Sequence, residues 1–329
     1  MPHDAVAMAV GADGQQAGPL AALDDLDAQA RRYIADAVAP NTRRAYGSDW
    51  RIFTAWCAAR RVPALPAAPT TVARFLTDQA SSLRVSSLHR RLAAIVQAHR
   101  AAGHPSPSDD ATVRTVWRGI RRAKGTRPAK KRPLLADDVR ALLAHLPSTT
   151  AGTRDRALLL LGFAGALRRA ELVALDVADL EPVPGRGLLL TVRRSKTDQE
   201  GAGTVVPIHH GTDPDTCPVV ALTDWLARAG IGDGAVFRPV SRYGRIGTGR
   251  LTAQTVALVV KRAATAAGLD PARLAGHSLR SGFATSAAIA GADLPTIMRQ
   301  TRHRSATVAA GYVQDADPFR NSAGALVRL

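Results

Sequence analysis

Four short stretches carry the side chains able to do chemistry. They are Gly165-Ala-Leu-Arg168-Arg-Ala-Glu171-Leu172, Arg193-Arg-Ser-Lys196-Thr197, Gly276-His277-Ser-Leu-Arg280-Ser-Gly282, and Arg302-His303 with Tyr312 nine residues on. Together they suit cleavage of a phosphodiester without a metal. That reaction needs a nucleophile at phosphorus, positive charge at the non-bridging oxygens and a proton for the leaving 5′-oxygen. Two guanidiniums suit the oxygens, because each is a planar fork of donors that stays charged. A lysine or histidine can supply the proton. A tyrosine hydroxyl can attack, provided a neighbouring base or cation helps it ionise, since its ordinary pKa is about 10. Arg168, Arg280, Lys196, His277, His303 and Tyr312 contain a candidate for each role. His-x-x-Arg alone recurs by chance in helical proteins; the order and setting of the whole set are what specify it.

The elements that must position these groups are mostly helical. Apolar spacing predicts a first helix with Tyr46, Trp50, Phe53 and Cys57 on one face, capped by Asn41 or Thr42. A second opens at Thr70 or Thr71 and carries Val72, Phe75 and Leu76. A third spans about 87–102, with Leu88, Leu92 and Ile95 inward and Arg90 and Arg91 on its other side. A fourth starts at Asp109 or Asp110 and carries Val113, Val116, Trp117 and Ile120. The aromatics fall on the apolar period, so they read as core rather than base-stacking platforms. Residues 125–133 hold two prolines, a glycine and four basic side chains, a linker that neither helix nor strand tolerates. It suits a DNA backbone or a nuclear-localisation-like patch. Beyond it, helices are expected near 152–167, from Arg168, and over 217–229, 252–267, 278–290, 293–301 and 305–313. Residues 187–192 and 204–208 read as a β-hairpin with Lys196 near its tip.

Charge shows where a polyanion would be held. The 329-residue chain carries a formal +17. Residues 1–38 are net −4, residues 39–133 net +15 and residues 134–329 net +6. The excess thus gathers in one segment that is nearly free of acids, which favours a phosphate-binding face. Arg43, Arg44, Arg90, Arg91, Arg121, Arg122 and Lys124, with linker residues Lys130, Lys131 and Arg132, are the expected phosphate contacts, setting affinity and register. Arg242 and Gln254, at the helix opening near Thr252, are candidates for base reading, with a solvated helix start as the alternative. The fold class is mainly α. Residues 1–38 form an acidic, disordered tail, 39–124 a helical DNA-binding domain, 125–133 a basic linker, 134–320 a catalytic domain and 321–329 an apolar tail.

Cys57 and Cys217 are too few for a disulfide scaffold and fit a reducing compartment. No secretory signal or apolar run long enough to span a bilayer stands out, so the expected location is the cytoplasm. A metal site from His209, His210 and Cys217 matches no standard zinc spacing, and no cofactor is expected.

With these motifs in this order, the chain resembles the tyrosine site-specific recombinases of the phage-integrase family from about residue 41 to its end. Ala55-Trp56-Cys57, Pro105 to Asp109 and the ending Gly324-Ala-Leu-Val-Arg-Leu329 liken it most to the Cre-type branch. The resemblance implies a SAM-like helical core-binding domain and a mostly helical catalytic domain. It implies that Tyr312 forms a 3′-phosphotyrosyl link, freeing a 5′-hydroxyl. Arg168 and Arg280 would hold the non-bridging oxygens, and Lys196 would be the general acid. His277 would assist proton transfer at the nucleophile, and His303 would donate to the phosphate. Glu171, one turn after Arg168, would orient the site from behind. Where many members have Gly before this histidine, the chain has Arg302, adding charge beside the phosphate. Gly311 would loosen the helix of Tyr312, at about 1 kcal/mol in a helix interior. Neither ATP nor a metal is required, because the phosphotyrosyl link conserves bond energy. The implied partners are double-stranded DNA with an inverted-repeat target and further copies of the chain, two per site and four per synapse. Leu326, Val327 and Leu329 would form the element passed between copies. The other readings are a DNA-binding regulator without catalysis and a topoisomerase of type IB chemistry.

Overall fold

Pro40 and Pro69 decide where the first two helices start. In the computed structural model, which describes residues 25, 26, 28–30, 32, 33, 39–126, 131–193 and 203–316, α1 (Pro40–Ala59) and α2 (Pro69–Ala80) each open on a proline. Its fixed φ and missing N–H suit the first helical position. Asn41, Thr42, Thr70 and Thr71 therefore lie inside the helices, not at their caps. α3 (Val85–Ala101) follows, and α4 (Ala111–Lys124) begins as predicted, with the Asp110 side chain accepting the Thr112 N–H at 2.7 Å. The described residues between 25 and 33, within the expected tail, are helical.

Cα packing divides the chain into two units, residues 1–128 and 129–329. The core of the first gathers Phe53, Cys57, Val72, Phe75, Leu76, Leu92, Ile95 and Val113. The Phe53 and Phe75 rings meet edge to face at 5.0 Å, and Trp56 packs on Phe75 at 5.4 Å. These aromatics are core, as their spacing indicates.

In the second unit, residues 131–135 are neither helix nor strand. Arg132 N–H donates to the Arg273 carbonyl at 2.8 Å, and Leu134 N–H to that of Ser278 at 3.0 Å. Then come α5 (Ala136–Ala144), α6 (Thr150–Ala164) and α7 (Arg169–Ala174). An antiparallel sheet, ordered β1-β2-β3, follows from β1 (Leu180–Val183), β2 (Gly187–Val192) and β3 (Thr204–His209). Leu188 pairs with Ile208 and Leu190 with Val206, all buried on one face. Sequence reading expected β2 and β3 but not β1, whose four residues include Pro182 on an edge strand. α8 (Pro218–Ala229), α9 (Ala253–Ala266), α10 (Ser278–Ile289), α11 (Leu294–Thr301) and α12 (Ala306–Ala316) complete the unit. Its core centres on Trp225, fully buried with Nε1–H on the Val236 carbonyl at 2.8 Å, and on Leu158, Leu161, Leu172 and Val259. Gly282 lets the entering chain cross α10 closely, since a Cβ there would lie 1.7 Å from the Leu134 oxygen. Among the described residues no helix is long and apolar enough to cross a membrane.

Candidate active site

A strained turn sets the first arginine. Between α6 and α7, Ala166 sits at φ +44°, a left-handed conformation that side chains with a Cβ seldom adopt. Its N–H bonds the Phe163 carbonyl at 2.9 Å, and Leu167, buried beside it, bonds the Gly162 carbonyl at 3.1 Å. Arg168 then caps α7. Its backbone N–H donates to Glu171 Oε2 at 2.9 Å and its Nη1 to Oε1 at 2.5 Å, the carboxylate reaching back as in a capping box. Burial raises the Glu171 carboxyl's proton affinity, but Arg302 and Arg168 overcome it and hold the pKa below the usual value.

Arg280 projects from α10 and is wholly buried. Nη1 donates to the Ala166 carbonyl at 2.7 Å. Its Nε and Nη2 have no acceptor among the described residues. Burial, then the like charges of Arg168 and Arg302, push it down to about 9, so it stays a cation at neutral pH. Two buried donors on a charged fork suit an anion.

His277 and Tyr312 meet across α10 and α12. His277, exposed at the start of α10, places Nε2 3.3 Å from the Tyr312 hydroxyl. The His303 ring packs on Tyr312 at 5.4 Å. The Thr301 hydroxyl has one proton and donates it to the Ile297 carbonyl at 2.6 Å. Its oxygen also lies 2.7 Å from His303 Nδ1, so that nitrogen carries the hydrogen. Burial, then Arg280, Arg168, His277 and Arg302, push His303 down to about 4. At neutral pH His303 is therefore a neutral ring with a lone pair on Nε2, able to donate there only after taking up a proton.

The structure thus brings Arg168, Glu171, Arg280, His277, His303 and Tyr312 together. Lys196 lies outside the described residues, as do Lys130 and the tail with Leu326, Val327 and Leu329. α12 runs unbroken through Gly311. The Arg302 side chain is 6% exposed and pairs with Glu171, behind Arg168 and Arg280. Thr301 and Ala166 carry no chemical signal of their own in the sequence, yet one orients His303 and the other anchors Arg280.

The expected DNA contacts divide in the same plain way. Arg43, Arg44, Arg121 and Arg122 are exposed on α1 and α4, with Arg44 bonded to Asn41. Lys124 Nζ reaches the Ala80 carbonyl. Arg90 instead holds Asp49 by Nε at 2.6 Å and Nη2 at 3.2 Å, and Arg91, only 13% exposed, bonds Gln79 beside the same carboxylate. Arg91 thus faces into its own unit, not out from the helix. Lys131 and Arg132 bond Ala272 and Asp138 of the second unit. Arg242 lies over the exposed Tyr243 ring at 4.6 Å. Gln254 is exposed in the first turn of α9, where the Thr252 hydroxyl accepts the Thr255 N–H at 3.2 Å. Cys217 accepts the Val220 N–H through Sγ at 3.5 Å, a role in starting α8.

Residues 132–318 match the profile described as "Phage integrase family", a span that includes the whole cluster. The chain belongs to the phage integrase family. Among curated members of that family, the Integrase/recombinase xerD homolog of Selenomonas ruminantium is 40% identical over 303 residues, 91% of this chain and 88% of the other. Recombinase cre of Escherichia phage P1 is 28% identical over 301 residues, 85% and 84% of the two chains. The expected likeness to Cre over other branches is therefore corrected, since the xerD homolog is the more similar of the two. A crystal structure of the XerH site-specific recombinase bound to palindromic difH substrate has the same fold, at a TM-score of 0.59 and 17% identity over 80% of this chain and 73% of that one.

Proposed function

We propose that this integrase-family chain is a site-specific DNA recombinase that cuts and rejoins strands through a 3′-phosphotyrosyl link. The observation that carries the reading is the 3.3 Å approach of Tyr312 Oη to His277 Nε2 beside Arg168, Arg280 and His303. His277 takes the phenol proton as the Tyr312 oxygen attacks phosphorus. Arg168 and Arg280 stabilise the charge on the non-bridging oxygens as it moves through the transition state. The bond to the 5′-oxygen breaks, and Lys196 gives that oxygen its proton. The tyrosyl phosphodiester keeps the energy of the bond it replaces, so a free 5′-hydroxyl reverses the step and joins the strands. His303 supports the phosphate in its protonated form, because the phosphate's negative charge opposes the cations that keep the free ring neutral.

The substrate is double-stranded DNA with an inverted-repeat target, bound by two copies and paired into a tetrameric synapse. The basic first unit supports this reading, and so do the relatives: the XerH structure holds a palindromic DNA. The cell compartment is the cytoplasm.

Selecting bound sequences from a random DNA library supplies the substrate, and a nicked version traps the cut state. The parent chain should form a covalent protein–DNA adduct and Tyr312→Phe none. An adduct in Tyr312→Phe would assign the nucleophile elsewhere. Tight binding by the parent without any cutting would favour a regulator, and relaxation of plasmids lacking the target a topoisomerase.

A further inference from the structure

Arg302 ends α11 in a left-handed conformation, at φ +56°. An arginine there needs a compensating interaction, because only glycine adopts such a backbone freely. The compensation lies in the guanidinium. Nη1 donates to the Gly165 carbonyl at 3.1 Å and the Gln300 carbonyl at 2.9 Å. Nη2 donates to the Ala166 carbonyl at 3.1 Å and to Glu171 Oε2 at 2.9 Å. Four acceptors surround one nearly buried fork.

Each acceptor supports a different part of the cluster. Gly165 and Ala166 form the strained turn that presents Arg168. The Ala166 carbonyl is also the acceptor of Arg280. Glu171 is the carboxylate that Arg168 grips. The Gln300 side chain reaches this region as well, donating to the Ala164 carbonyl at 2.9 Å. The residue after Arg302 is His303. One side chain therefore joins the supports of Arg168 and Arg280 to the loop that carries His303.

We propose that Arg302 is a positioning residue for strand cleavage: its guanidinium locks the Arg168 turn, the Arg280 acceptor and the His303 loop into one rigid assembly. The inference rests on the functional reading above. Lysine cannot replace it, because a single ammonium cannot reach two carbonyls, a third across the loop and a carboxylate in fixed directions. Glycine would fit the backbone but leave the buried Glu171 oxygen and the Gly165 carbonyl without this donor.

Charge gives the second readout. The charged groups acting around Glu171 are Arg168 on its own helix, Arg302 from the α11 end and Arg280 from α10. Burial pushes this carboxyl up and Arg302 heads the groups pulling it down. Without Arg302, Glu171 gains a proton at higher pH, and its hold on Arg168 weakens there.

The test uses the full chain on its selected DNA, with single-turnover adduct formation followed against pH for the parent, Arg302→Lys, Arg302→Gly and Tyr312→Phe. DNA affinity should stay near the parent's in both Arg302 variants. Cleavage near neutral pH should fall about 100-fold, the scale of a site displaced by around 1 Å. In Arg302→Gly the acid limb of the rate should move up by about one pH unit or more, as for a carboxyl losing a close cation. Arg302→Lys keeps the charge and the length of the side chain, so it answers the question even if Arg302→Gly does not fold. Parent-like cleavage rates in Arg302→Lys, with Tyr312→Phe inactive, would overturn the role of Arg302 alone. An adduct in Tyr312→Phe would instead overturn the functional reading.

Discussion

Asp49 in the first unit and Glu171 in the second are each almost wholly buried and each face more than one arginine. Around Asp49 the surplus charge reaches water, because Arg90 is half exposed. Around Glu171 it does not: Arg168 is 18% exposed, Arg302 6%, and Arg280 is fully buried with no carboxylate partner of its own among the described residues. Unpaired buried charge is costly. The first arrangement needs no ligand and fastens α1 to α3. The second leaves net positive charge in a low-dielectric place, where an incoming phosphate would gain most from it. On the proposed reading, the same residue types serve as a fastener in one unit and as a receptor in the other, and burial of the surplus arginine makes the difference.

Substitutions can break this contrast. The largest effect is expected from Arg280→Lys. Replacing a fork by a point charge should lower single-turnover cleavage at saturating DNA by about 10³-fold, as for loss of a preorganised donor to developing charge. A rate close to the parent's would mean that the unpartnered guanidinium does not serve the phosphate. Next comes Asp49→Ala, which strips the first unit's arginines of their carboxylate. Urea unfolding of that unit should show a loss of about 3 kcal/mol, the scale for breaking a buried pair. Cleavage at saturating DNA should be unchanged. If chemistry fell while the fold held, Asp49 would not be merely a fastener.

The smallest effect concerns pH and sharpens the contrast. His303 is pushed from 6.5 to about 4 in the folded chain. Between those values the unfolded chain binds a proton that the folded chain refuses, so stability falls as pH drops through this window. In His303→Asn this contribution disappears. Thermal midpoints of parent and variant should keep a constant offset above pH 6.5. Below it the parent should lose stability faster, by a few degrees at most. Parallel curves down to pH 4 would show that burial and the cations do not hold His303 neutral as described.

Much of this was legible in the residues. The helices α8 to α12 follow their apolar spacing closely, and Asp110 and Thr252 cap where expected. The chemical residues were legible too, because few sequences place Arg, His-x-x-Arg, His and Tyr in that order. What escaped was direction. Arg302 carries the same side chain whether it points at a phosphate or into the protein, and only the left-handed backbone turns it inward. Arg91 likewise reads as one more surface cation until α1 supplies Asp49 beside it. Pro40 and Pro69 outcompeted good capping residues next to them, and β1 was too short to show an alternation.

The close crossing at Gly282 bears on which changes the chain can tolerate over evolutionary time. The stretch His277-Ser-Leu-Arg280-Ser-Gly282 mixes two kinds of requirement. His277 is exposed, and on the proposed reading it serves proton transfer. Gly282 touches no reacting group, but any side chain there collides with the Leu134 backbone, whose N–H is held by the Ser278 carbonyl one turn earlier on the same helix. A descendant that lost strand cleavage and kept the fold would still be bound to glycine at 282.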